Sequence, residues 1–192
     1  MFDSDLSTPR GELLTWAYRL ASYDAVALGG QDLMYGRKIG VEKFRALGVP
    51  WVCSNMESGR EELSVRRYAI LNRGGRRIVV VALLGKVVHR DALTRGNPPV
   101  VLSDPREALE SLLPELRAQA DVICLLAHMP SAQAEQIFAK TNGIDVLVLG
   151  HDQRLTTPDP PDAVVTLKRG NRYAPEPPGE TRSHSELRRN QD

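Results

Sequence analysis

Ile144–Gln153, IDVLVLGHDQ, is the stretch that decides the fold. An apolar run reads as a buried strand, Gly150 stops it, and His151, Asp152 and Gln153 follow at once. Such a strand delivers an imidazole to the carboxyl edge of a sheet, where open α/β sheets place their ligands. A second copy lies upstream: Asp121–Leu126, DVICLL, runs into Ala127-His128. Either histidine alone at a strand end is ordinarily a hydrogen-bonded edge residue. Two of them at the same edge of neighbouring strands point to a metal site, because neutral imidazole is a good ligand for Zn, Mn, Fe or Ni. Gln153 can add a side-chain oxygen, while Asp152 points the other way if the backbone stays extended.

Outward from these strands the pattern alternates. Asp104-Pro105 predicts a helix with an N-cap and a first-turn proline, running to about Gln119. A helix over Ser131–Lys140 separates the two His strands, and Asp162–Leu167 reads as a last strand. Arg66–Asn72 and Arg77–Leu84 form a hairpin through Arg73-Gly74-Gly75-Arg76, whose paired glycines supply the positive φ of a tight turn. Its arginines read as a solvated tip rather than a phosphate patch. Nearer the start, Asp24–Leu28 is a short strand stopped by Gly29-Gly30, and Trp51–Ser54 is another. Between them a helix carries Ile39, Val41, Phe44 and Leu47 to Gly48. A first helix starts near Ser7-Thr8-Pro9 and carries Leu13, Leu14, Ala17, Tyr18 and Leu20 at helical spacing. Gly85–Val101 is an irregular loop, and its His89 reads as a surface residue. Strand–helix alternation gives an α/β layered domain, and the hairpin makes the sheet mixed or divides it in two.

Composition narrows the function. The chain has 192 residues and a formal net charge of +1, which gives no electrostatic case for a nucleic-acid polymer or an anionic membrane. No apolar run approaches the roughly 20 residues of a membrane span. The N-terminus does not read as a signal peptide. Cys53 and Cys124 read as buried thiols in neighbouring strands. The domain is expected over residues 1–172, with a disordered tail over 173–192, PEPPGETRSHSELRRNQD being Pro-rich and charged. His184 belongs to that tail.

From Asp24 to Gln153 the chain resembles the metallophosphatase domain of the 5'-nucleotidase family, within the calcineurin-like metallophosphoesterases. DAVALGGQDLMYG stands where that family has a strand, Gly-Asn-His-Glu and an Asp; WVCSNM resembles its next strand and RYAILNRGGRRIVVVALLG its hairpin. The run ending LLAHMP resembles its Ser-His-x-Gly motif, and NGIDVLVLGHDQR its Gly-His-x-His motif, with Gln153 in place of the last His. The resemblance implies a four-layer α-β-β-α sandwich and hydrolysis of a phosphate ester or nucleotide, a step in nucleotide catabolism. It implies a divalent metal (Mn, Zn, Fe or Co), as one ion or two, with His128 and His151 holding one and Gln153 the other. Gly30, Gln31 and Asp32 would line the site.

The sequence departs from the family at that third motif. Gly30 stands for the ligand Asn, Gln31 for the catalytic His and Met34 for its partner Asp. Gln31 cannot serve as a general acid, which leaves the catalytic residue unassigned. Asp32 reads first as a helix-start cap, with metal ligation as the alternative. The family's opening Asp-x-His strand and Gly-Asp strand end have no counterpart before Met1-Phe2-Asp3. Three readings follow: a truncated or partly degenerate phosphoesterase, a non-catalytic relative binding one metal or a ligand, and a structural domain. The first is the expectation carried forward. Compartment depends on the true N-terminus: cytoplasmic if the chain is complete, periplasmic or exported if a signal precedes it.

Overall fold

The computed structural model describes residues 13, 16–18, 20–85 and 93–150, and the backbone of Val164–Leu167. The Ser7-Thr8-Pro9 helix start, His89, His151, Asp152, Gln153 and the tail from Tyr173 lie outside the described residues.

In chain order the elements are β1 (Val26–Ala27), α1 (Gly30–Ile39), α2 (Val41–Ala46), β2 (Trp51–Val52), α3 (Arg60–Leu63), β3 (Tyr68–Arg73), β4 (Arg76–Leu84), α4 (Pro105–Arg117), β5 (Val122–His128), α5 (Ser131–Lys140), β6 (Val146–Leu149) and β7 (Val164–Leu167). They make two sheets. One is five-stranded in the order β3-β4-β5-β6-β7, and the other pairs β1 with β2 in parallel. Within the larger sheet β4, β5 and β6 are parallel, and antiparallel β3 and β7 close the two sides. The sheet is therefore both mixed and divided.

Alternation along the central strands sets the layers. Val79, Val81 and Leu83 of β4 and Ile123, Leu125 and Ala127 of β5 face one core. Leu109, Leu112, Leu113 and Leu116 of α4 and Ala134, Ile137 and Phe138 of α5 fill it from the other side. The leucines of α4 recur at i, i+3, i+4 and i+7, one helical face, and each contributes about 2 kcal/mol by leaving water. The intervening residues of the same strands, Val80, Ala82, Cys124 and Leu126, face the opposite way and meet Val52 and Ala27 of the smaller sheet and Ala25 just before it. Beyond that sheet a third core packs Leu28, Leu33, Phe44, Trp51 and Met56. The resulting order is helix, sheet, sheet, helix: the α-β-β-α sandwich expected from sequence.

Several boundaries are sharp. Asp104 caps α4, its carboxylate accepting from the N–H groups of Arg106 at 2.9 Å and Glu107 at 3.1 Å. The hairpin turns on Gly74 and Gly75, with φ of 56° and 72°. At the amino ends of the strands, Asp121 accepts from Arg77 N at 2.7 Å, and Asp145 accepts from Ile123 N at 2.7 Å while pairing with Arg117.

Three expectations need correction. The helix expected over Ile39–Leu47 is two helices. The first begins at once after β1, at Gly30, and Gly40, with φ 88° and ψ 152°, breaks the chain between them. That left-handed φ is open to glycine and costly for other residues. Gly36 then lets the two helices close, since a Cβ there would stand 2.8 Å from the Phe44 ring. Second, Cys53 and Cys124 do not occupy neighbouring strands. Cys53 follows β2 and Cys124 lies in the larger sheet, half-buried. Third, Leu13 and Leu20 are exposed, together with Trp16 and Tyr23, and among the described residues of that helix only Tyr18 turns inward, edge-on to Trp51 at 6.1 Å.

Candidate functional site

The parity of β5 places His128 on the same side as Cys124 and Leu126, the face turned to the smaller sheet. Extended to its carboxyl end, β5 therefore carries an imidazole across the gap between the two sheets. The point it reaches is Gly29, the residue immediately before α1. A Cβ on Gly29 would lie 3.0 Å from His128 Nε2 and 3.0 Å from Asp32 Oδ2. A side chain at Gly29 would crowd both groups where they converge.

Asp32 is held there by helix geometry. It is the third residue of α1, and its Oδ2 accepts the Gly29 N–H at 2.8 Å, reaching back over one of the unsatisfied donors of the first turn. The capping role read from sequence is thus present. It uses one oxygen. Asp32 is 3% exposed, and its Oδ1 is buried with no hydrogen-bond partner among the described residues. Burial pushes the Asp32 carboxyl up to about 6, and the Gly29 hydrogen bond opposes the rise. Tyr18, which sequence reading placed only as an apolar helix position, belongs to the same neighbourhood. Burial first, and then the Asp32 charge, raises its phenol.

The carboxyl ends of the three parallel strands stand together. β4 ends at Leu84 opposite His128, and β5 pairs with β6 through Ala127 and Leu149. Gly85 and Gly150, just past β4 and β6, both donate to β5, to His128 O at 3.0 Å and Ala127 O at 3.0 Å. The two strands read as carrying histidines are therefore adjacent and parallel. His151 and Gln153 come directly after this edge but lie outside the described residues. Among the described residues no three His, Cys, Asp or Glu side chains form a metal cluster.

Of the other sequence candidates, Gly30 opens α1 and Gln31 is exposed beside buried Asp32. Gly30 offers no donor atom, and Gln31 offers a neutral amide. Sequence reading missed the group that fastens this edge, Asn55. Its amide works as a peptide group for Leu84, where β3 no longer flanks β4. Nδ2 donates to Leu84 O at 2.9 Å, and Oδ1 accepts from Leu84 N at 2.9 Å. Nδ2 also donates to Ser103 O at 3.1 Å. Ser54 does likewise one step earlier, its N–H donating to Ala82 O and its Oγ accepting from Ala82 N at 3.1 Å. Together they stitch the smaller sheet to the larger. The available signal was two polar residues following an apolar strand, since buried polar groups require partners. Arg37 fixes the next loop to α1 by donating to Leu93 O and to Pro98 O.

The residues present fit a metal in part. The chemistry of an imidazole beside a buried carboxylate with an unused oxygen suits a borderline transition-metal ion. Two ligands fall short of a closed two-metal cradle among the described residues.

No protein-family model and no curated protein matches the chain. Solved structures do. A 5'-nucleotidase precursor from Thermus thermophilus superposes with a TM-score of 0.60 at 23% identity over 74% of this chain and 28% of its own. The NAD nucleotidase of Haemophilus influenzae gives 0.60 at 20% identity, covering 73% and 26%. A calcineurin-like phosphoesterase of Bacillus subtilis gives 0.55 at 21%, covering 72% and 47%. The chain therefore spans between about a quarter and a half of these structures' lengths. At these identities the likeness concerns the fold, and the fold is that of the 5'-nucleotidase-like metallophosphoesterase domain.

Proposed function

We propose, from a fold shared with 5'-nucleotidases and calcineurin-like phosphoesterases, that this chain carries a pared-down phosphoester hydrolase site acting on phosphate esters of the nucleotide type. The observation that carries the reading is the convergence of His128 and Asp32 on Gly29, at the carboxyl edge between the two sheets. Capping α1 uses only one oxygen of Asp32, and the second oxygen with the imidazole beside it is what a metal-dependent reading employs. The likeness to nucleotidase and phosphoesterase folds supports a small-molecule partner. Among the described residues no helix is long and apolar enough to cross a membrane.

In this reading His128 and His151 hold one divalent ion and Gln153 contributes to a second where two are bound. The ion, when bound, supplies a Lewis acid for the phosphoryl oxygens and an activated water. The chain's own residues explain why turnover should be slow. Gly30 brings no ligand, and Gln31 has no proton to give a leaving group near neutral pH. Losing a general acid typically costs about 10²–10⁴-fold in rate. Asp32, carrying the Gly29 N–H, keeps the strand-to-helix turn in place beside His128.

The test is hydrolysis of a chromogenic phosphate ester with Mn²⁺, Zn²⁺ or Co²⁺ added. Slow, metal-dependent turnover that disappears in the His128→Ala, His151→Ala double variant is the expected result. Wild-type turnover no faster than that of the double variant would refute hydrolysis and leave a metal- or ligand-binding relative.

A further inference from the structure

The unused oxygen of Asp32 has no task in the capping and positioning roles described above. A carboxylate oxygen buried away from water and from any donor is costly, and native proteins rarely keep one without a ligand or a proton to meet it. Among the described residues Asp32 Oδ1 is such an atom, in a side chain only 3% exposed. Oδ2 is committed to the Gly29 N–H, which fixes the carboxylate and leaves Oδ1 as its open end. His128 Nε2 and Asp32 Oδ2 reach the same point over Gly29, so the imidazole stands beside this carboxylate. Gly30, two residues away on the same turn, carries no side chain of its own.

We propose that Asp32 is itself a metal ligand, its Oδ1 joining the His128 imidazole on a single transition-metal ion. The proposal rests on the metal-dependent reading above and deepens it by one ligand. Its chemistry is that of a mixed oxygen–nitrogen site, suited to Mn, Fe, Co or Zn, with water or substrate completing the shell. The same carboxylate would cap α1 through one oxygen and bind metal through the other. Loading the site would then tie β5, β1 and the start of α1 together and raise thermal stability by mass action.

Titration of the full chain with Co²⁺, followed by visible absorption and by melting temperature, tests this directly. Asp32→Asn is the informative variant, because its amide oxygen can still accept the Gly29 N–H and preserve the cap. The expected result is one equivalent of Co²⁺ per chain. Affinity should fall more than about tenfold in Asp32→Asn and in His128→Ala, the loss expected at the least when a metal's immediate surroundings are altered. Co²⁺ binding that Asp32→Asn leaves intact while His128→Ala abolishes it would overturn the proposal, and so would no binding at all. Should Asp32→Asn fail to fold, the wild-type Co²⁺ protein decides. Paramagnetically shifted proton resonances that vanish on β-deuteration of aspartate support the ligand, and their absence refutes it. The two readings fail separately. Co²⁺ bound through Asp32 with no ester hydrolysis sinks the hydrolase alone, and hydrolysis indifferent to Asp32→Asn sinks the ligand alone.

Discussion

Replacing Asn55 by Ala should remove more stability than its size suggests. The side chain is 1% exposed and serves three backbone groups: Leu84 N, Leu84 O and Ser103 O. Alanine would strand the two Leu84 groups in the interior and take the amide donor from the half-buried Ser103 O. Each buried group left unsatisfied costs about 1–3 kcal/mol, so the total is about 2–6 kcal/mol. That is a large part of the stability of a domain this size. Urea unfolding followed by the fluorescence of Trp51, buried at 3% exposure, is the assay, with melting temperature as a cross-check. Asn55→Asp should be at least as damaging, because it removes the same two donations and adds a buried charge. A loss below about 1 kcal/mol for Asn55→Ala would show that water or a neighbouring group replaces the amide. The idea that it completes the β4 ladder would then be wrong.

Other outcomes can be stated more briefly. Gly29→Ala places a methyl 3.0 Å from both Asp32 Oδ2 and His128 Nε2, so it should cost about 1–3 kcal/mol and weaken any Co²⁺ binding; a variant as stable as wild type would show that the strand end is slack. Asp32 has its proton affinity raised by burial, to about 6 from 3.8. The metal-free folded state therefore holds a proton there that the unfolded chain has released, and stability should fall as pH rises from about 4 to about 6 and level off above. Urea midpoints should show that slope in wild type and lose it in Asp32→Asn. Burial pushes the Cys53 thiol up to about 12 and the Cys124 thiol up to about 11, so at pH 8 buried Cys53 should not react with a disulfide reagent until urea opens the fold, while half-buried Cys124 should react far more slowly than a free thiol. Phe44→Ala removes a buried ring stacked on Trp51 at 5.8 Å, costing about 3–5 kcal/mol and shifting the Trp51 emission to the red.

What the sequence made legible was what local chemistry determines. Paired glycines mark the hairpin, Asp104-Pro105 marks a helix start, and two apolar runs ending near His128 and Gly150 mark parallel neighbours. Ser131–Lys140 matches the observed helix end to end. Features set by contacts distant in sequence were not legible. Gly40 is the one local signal of a break, but a lone glycine within a helical pattern is tolerated, and the packing that accompanies the break, Phe44 closing on Gly36 and stacking on Trp51, is not visible in sequence. Cys53 reads as a strand thiol, but which sheet it follows depends on how residues far along the chain pair. Asp32 was readable as a cap, and its second, unpartnered oxygen was not, since that depends on what packs around it. Asn55 and Tyr18 acquire their roles only when the strand edge and the first helix meet the site.

The layer between the two sheets is lined largely by short side chains, Ala25, Ala27, Ala69 and Ala82 among them. Those alanines act as a shim of fixed thickness. His128 and Gly29 sit on opposite sides of it, so the reach of the imidazole is set by methyl groups that never touch the site. A Leu at Ala82, itself 1% exposed, would thicken the shim and lever the two edges apart, much as a wedge at a hinge opens the far end of a door. The chemistry at the rim can drift, as Gly30 and Gln31 show, provided the spacing underneath is kept. For this architecture, alignment is a property of the filling and not of the working residues.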